Sequence, residues 1–120
     1  METSNPSIEW RKKSGKEYLN FTFGEKLKEQ DARIGIEKWK QAFQARSGEK
    51  IVLVWDCMVM KGYEKEARIQ WQLALKEMKV QIASIWLITR SNLIQVGAGV
   101  MSVFTSLEIK TVSSVDEIDI

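Results

Sequence analysis

The sequence predicts an α/β fold: a single domain with a mixed, mostly parallel sheet of about five strands and helices on both faces. Three observations carry this. Ile51-Val52-Leu53-Val54-Trp55-Asp56 is an unbroken apolar run closed by an acid, the pattern of a strand buried on both faces in the middle of a sheet. Ahead of it lies an alternating segment with a tight-turn signal. Behind it, helical and strand periods alternate to the last residues. A hairpin followed by alternating helices and strands makes the later strands parallel and their crossovers right-handed.

Residues 1–7 are polar, include the only proline, and are expected to form a flexible arm, leaving 8–120 as the domain. Residues 8–13 and 16–23 are expected strands, joined at Lys13-Ser14-Gly15-Lys16 where Ser-Gly supplies the turn. In the second of them Leu19, Phe21 and Phe23 share one face and Tyr18, Asn20 and Thr22 the other. The period then changes. Ala32, Ile36, Trp39 and Phe43 recur at helical spacing among charged residues, which predicts an amphipathic helix over 29–46 with Gly48 as its stop. Gly35 inside it costs about 1 kcal/mol against alanine, so a break or a late start is expected there.

After the central strand, residues 57–63 are expected to form a loop and 64–80 a second helix. Its inward face is Ala67, Trp71, Ala74 or Leu75, and Met78, with acids in the first turn and Lys76 and Lys79 near the end. Residues 82–89, centred on Ile85-Trp86-Leu87-Ile88, form a further strand. Ser91 or Asn92 then caps a third helix over 93–104. Residues 107–112 are the last strand, and Ser113 and Ser114, followed three residues on by Asp116 and Glu117, are capping-box patterns for one more turn.

Composition narrows the function classes. A chain of 120 residues that is 44% hydrophobic can bury the core of one domain without cross-links. Its 18 Lys and Arg and 16 Asp and Glu are interspersed, and a net charge of +2 is no electrostatic footprint for nucleic acid. With no histidine and one cysteine, Cys57, the sequence excludes zinc sites, histidine triads and an internal disulfide, and no cofactor is expected. The first residues lack the basic and apolar parts of a secretory signal, so a reducing, cytoplasmic setting is expected. The most apolar helix, 93–104, is shorter than the ~20 residues a bilayer span requires, which leaves peripheral membrane contact but no span.

Several stretches together resemble the SpoIIAA-like, or STAS-like, family. They are Gly48-Glu49-Lys50 leading into the central strand, the Gly62-Tyr63 loop with its helix, Ile85-Trp86-Leu87-Ile88-Thr89 with Ser91 and a small-residue helix, and the Ser114-Val115-Asp116-Glu117 ending. The likeness covers roughly residues 18–118 and rests on element order and anchor residues. The resemblance implies a small α/β domain that works by protein contact, as in the anti-sigma-factor antagonists. A neighbouring branch is similar to lipid-transfer domains of the CRAL-TRIO type, which implies apolar ligands. The founding members are switched by a phosphorylated serine after the central strand. The matching stretch here, Lys61-Gly62-Tyr63-Glu64-Lys65-Glu66, has no serine or threonine, so that switch does not carry over.

Two groups of residues are candidate sites. Trp55, Met58, Met60, Tyr63 and Trp71 gather large, adaptable side chains outside the carboxyl end of the central strand, where open α/β sheets place ligands. They form either a pocket for a small apolar molecule or a plain cap on the core. In the third helix Leu93, Val96, Gly97, Val100, Met101 and Phe104, with Ile94 and Val103, leave only Gln95 and Ser102 for water. Such a helix packs on a second copy of the chain, lies on a membrane surface, closes a ligand pocket, or is wedged between the sheet and the C-terminal segment. Gly97-Ala98-Gly99 lacks the third glycine of a dinucleotide fingerprint, and Lys13-Ser14-Gly15-Lys16 lacks P-loop spacing. Cys57 has no histidine to activate it. The expected function is therefore non-enzymatic: a regulatory or binding module acting through protein contact, with itself as homodimer or with another protein, or else a carrier or sensor of a small apolar or lipid-like ligand.

Overall fold

In a computed structural model, which describes residues 4–120, the turn at 13–16 is closed by Ser14 and Gly15, both at positive φ (53° and 80°). That left-handed pair matches the twist of two-residue hairpins, and it joins β1 (Ser7–Lys13) to β2 (Lys16–Thr22) in register from Lys13 opposite Lys16 outward. The chain continues through β3 (Lys26–Leu27), α1 (Glu29–Ala45), β4 (Ile51–Asp56), β5 (Gly62–Tyr63), α2 (Lys65–Glu77), β6 (Ile82–Ile88), α3 (Asn92–Thr105) and β7 (Ile109–Val112). The main sheet has the order β1-β2-β4-β6-β7, with β1 antiparallel to β2 and the other neighbours parallel. β3 and β5 form a separate two-residue parallel pair. Each is too short to give the sequence a strand period.

From β2 onward the strand order advances in one direction without reversing. Right-handed crossovers then return to the same side of the sheet each time. Ala32, Trp39 and Phe43 of α1, Ala67, Trp71 and Leu75 of α2, and Ile94 and Ala98 of α3 all enter one core with Leu19, Phe21, Leu53, Trp55, Ile85 and Leu87. The expectation of helices on both faces is thus corrected: all three helices of the described residues lie on one face. On the other face Tyr18, Val54, Trp86 and Ile88 are closed over by Ile118, part of a C-terminal segment with a short 3-10 turn (Val115–Glu117). Lys13 holds that segment, its Nζ donating to the carbonyls of Val115 at 2.9 Å and of Ile118. The central strand is therefore buried on both sides, as its unbroken apolar run requires, but by different means.

Two expectations fail because of one contact. Pro6 is fully buried, and Asn5 beside it accepts from the Gly24 amide and donates to the Lys26 carbonyl, each at 2.8 Å. The expected flexible arm is therefore pinned from Asn5 onward, while residues 1–3 lie outside the described residues. Pro6 seats against Gly35, where a Cβ would stand 3.0 Å from its Cδ and 3.3 Å from the Trp71 ring. α1 runs unbroken from Glu29, so Gly35 is a place of close approach and not a break.

Candidate functional site

β4 sets Trp55 onto the helix side of the sheet and ends at Asp56, whose Oδ1 accepts from the Met58 amide at 3.2 Å. The loop that follows is tied at several points. The Cys57 amide donates to Ile88 O at 2.9 Å, Met60 N to Cys57 O at 3.1 Å, and Lys61 N to Glu25 O at 2.7 Å. β5 then pairs with β3. Glu64 follows, and its carboxylate accepts from the amide of Glu29 at 2.7 Å, capping the first turn of α1 where a negative charge meets the helix dipole. Glycine at 97 completes the arrangement: the Tyr63 hydroxyl occupies the place a Cβ would take, so the phenol end packs against the α3 backbone.

The result is a cavity of about 50 Å³ under Tyr63, between α2, α3 and the end of β4. Trp55, Met60, Tyr63 and Trp71 line it. Met58 does not; it turns outward at 42% exposure, because its amide is held by Asp56 in the turn that directs Met60 inward. Ile94, Gly97 and Met101, expected from the sequence only as part of the apolar third helix, complete the wall together with Phe23, Arg68, Leu87 and Ala98, which the sequence did not single out as site residues. Arg68 had no signal of its own, being one charged residue among many in an amphipathic helix. Cys57 also borders the cavity, and burial, with the Asp56 carboxylate adding to it, pushes its thiol far above the ordinary range. A thiol held protonated is not an activated nucleophile. Among the described residues no group of three or more His, Cys, Asp and Glu side chains is placed to hold a metal ion.

α3 begins where Ser91 Oγ accepts from Ile94 N at 3.4 Å, the cap expected from the sequence, and ends at Ser106 in the left-handed conformation. Its two sides differ. Ile94, Gly97, Ala98 and Thr105 are buried and Met101 half-buried against the core and cavity. Leu93, Val96, Val100, Val103 and Phe104 stand in solvent at 46–84% exposure. The candidate contact residues of this helix therefore divide: Gly97 and Met101 belong to the cavity wall, while Leu93, Val96, Val100 and Phe104 share the outer side with Val103. Two lysines of the neighbouring helix and turn lean onto it. Lys76 Nζ lies 5.1 Å over the Phe104 ring, and Lys79 Nζ donates to Thr105 O at 3.0 Å. No helix among the described residues is long and apolar enough to cross a membrane.

A premise of the ligand expectation also changes. Open α/β sheets place ligands where the strand order reverses. The main sheet here has no reversal between its parallel strands, so the cavity lies beneath a loop rather than in such a crevice.

No protein-family model matches the chain, and no curated protein matches it either. Among solved structures it is similar to an uncharacterized protein of the DUF3478 family with a SpoIIAA-like fold, from Shewanella loihica PV-4. That likeness has a TM-score of 0.79 at 17% identity and covers 98% of this chain and 93% of that one. At such identity it speaks for the fold alone: the chain has a SpoIIAA-like fold, as its order of elements implied.

Proposed function

We propose that this SpoIIAA-like domain is a non-enzymatic contact module whose working surface is the outer side of α3, and that it pairs there with a second copy of itself. One observation supports the reading above the others. Leu93, Val96, Val100, Val103 and Phe104 form an exposed apolar ridge on a helix with no charged residue anywhere between Arg90 and Glu108. Soluble domains seldom leave such a ridge uncovered.

The absence of charge favours a like partner. A charged partner gains nothing from a neutral ridge, whereas two copies meet about a two-fold axis without setting like charges opposite each other. Gly99 lies within the ridge, and a Cβ added to it would touch nothing within 4 Å, so two helix backbones can come close there. A membrane surface is a weaker fit, because Lys76 and Lys79 are folded onto α3 rather than extended toward anionic headgroups. A carrier of lipid-like molecules is weaker still. A cavity of about 50 Å³ is far below the roughly 300–1,000 Å³ of sites that enclose drug-sized ligands.

Sedimentation equilibrium tests the proposal. The wild-type chain is expected to be a dimer at tens of micromolar, and Val100→Asp with Phe104→Asp a monomer with unchanged far-ultraviolet circular dichroism. A wild-type monomer, or a double variant that stays dimeric, overturns it.

A further inference from the structure

The charges of α2 are sorted by side. Lys76 Nζ lies over the Phe104 ring at 5.1 Å, and Lys79, in the 3-10 turn that follows the helix, donates to Thr105 O at 3.0 Å, so both face α3. Lys65 precedes Lys76 by eleven residues, about three turns, and falls on the same side, where Arg68 stands beside Gly97 and Met101. The acids face away. Glu77 pairs with Lys40 of α1 at 3.4 Å, and Glu66, eleven residues before it, shares that side. None of the four cations pairs with a carboxylate among the described residues, and α3 carries no charge to offer them. The groove between α2 and α3 therefore has a cationic wall and, facing it, an exposed apolar wall of Leu93, Val100 and Phe104.

A second copy of α3 covers the apolar wall and leaves the cations unanswered, because it too lacks an acid. We infer that the groove seats a different partner as well: an amphipathic helix with acidic residues along one flank, which competes with the second copy for the ridge. Its apolar side lies on Leu93, Val100 and Phe104, and its acids reach Lys65, Lys76 and Lys79. α3 spans 14 residues, about 21 Å, so a docked helix of about four turns fills the groove. The seat of Lys76 and Lys79 against α3, which turns them from a flat anionic surface, sets them where the flank of such a helix passes. The inference rests on the outer side of α3 being the working surface, and it names what regulates pairing there.

Three fluorescein-labelled peptides of about 15 residues test it by anisotropy with the full chain. One is a helix with leucine along one side and glutamate along one flank, and its twins carry glutamine or lysine in place of glutamate. The glutamate peptide is expected to bind about fivefold more tightly than the glutamine one, and the lysine one more weakly still, with the advantage shrinking as salt is added. Lys65→Gln with Lys76→Gln, both exposed, should remove the glutamate advantage, whereas Lys12→Gln with Lys16→Gln in the hairpin should keep it. In sedimentation equilibrium the glutamate peptide should convert the wild-type dimer to peptide-bound monomer. The inference is overturned by equal binding of the glutamate and glutamine peptides, by an advantage that survives the groove changes or falls equally with the hairpin ones, or by a dimer that keeps its pairing while the peptide is bound. Flotation with phosphatidylserine vesicles without any peptide preference overturns it too, in favour of a lipid surface. A wild-type chain that is monomeric from the start ends the self-pairing reading alone, and the peptide comparison then decides the inference by itself.

Discussion

The two sides of the sheet are built from the same strands and closed in different ways. On the helix side, three helices deliver Trp39, Trp71 and their neighbours onto Phe21, Leu53 and Trp55. The Trp39 ring meets Phe21 edge-on at 5.5 Å and Trp71 at a tilt at 5.2 Å. On the other side a segment of eight residues, held by one lysine, covers Tyr18, Val54, Trp86 and Ile88. Both sides exclude water from the central strand, where Leu53 and Val54 are each fully buried. Burial alone therefore does not measure how much of the fold depends on a given cover. What differs is how many elements must separate to expose it.

The largest expected effect lies on the helix side. Trp39→Ala removes the ring that contacts Phe21, Phe43, Trp55 and Trp71, and is expected to lower stability by about 3–5 kcal/mol in urea unfolding. Ile118→Ala on the other side should lower it by only about 2 kcal/mol, the low end for such a truncation, because a terminal segment can settle into the space left. Equal losses from the two variants would break the contrast between the sides.

The smallest effect is at the rim of the helix side. There the Arg46 guanidinium lies 3.8 Å over the Trp10 ring and donates to both carboxylate oxygens of Glu17, at 3.0 and 3.2 Å. The hydrogen bond from Arg46 holds the Glu17 carboxyl below the ordinary carboxylate range; desolvation opposes it, and the charges of Arg46 and Lys12 add to it. A folded value below the unfolded one means stabilisation that is present above the unfolded value and lost as pH falls through the folded one. Thermal melts of Glu17→Gln and wild type should therefore differ slightly near neutral pH and converge in acid, and added salt should narrow the gap for so exposed a pair. A difference independent of pH would show that the rim acts by packing alone.

Most of the elements were legible one at a time. The apolar run at 51–56, the Ser14-Gly15 turn, the Ser91 cap and the inward stripe Ala67-Trp71-Ala74 each depend on residues within a turn or two of one another. Periodicity and turn stereochemistry report such local relations directly. The two candidate clusters were visible only as collections of side chains. Their members were sorted by contacts across the chain: Met58 out and Met60 in, Gly97 and Met101 toward the cavity and Val100 and Phe104 away from it.

The sequence by itself determined the α/β class, the order of the three helices and the five strands of the main sheet along the chain, and the apolar character of α3, because each follows from the chemistry of neighbouring residues. The tertiary structure decided that all the helices share one side, that Gly35 is an approach for Pro6 and Trp71, and that Arg68 enters an apolar wall. Those outcomes depend on strand order and on pairs of residues far apart in the chain. Strand pairing and side-chain packing settle them only when the whole core closes, and no local period carries their signal.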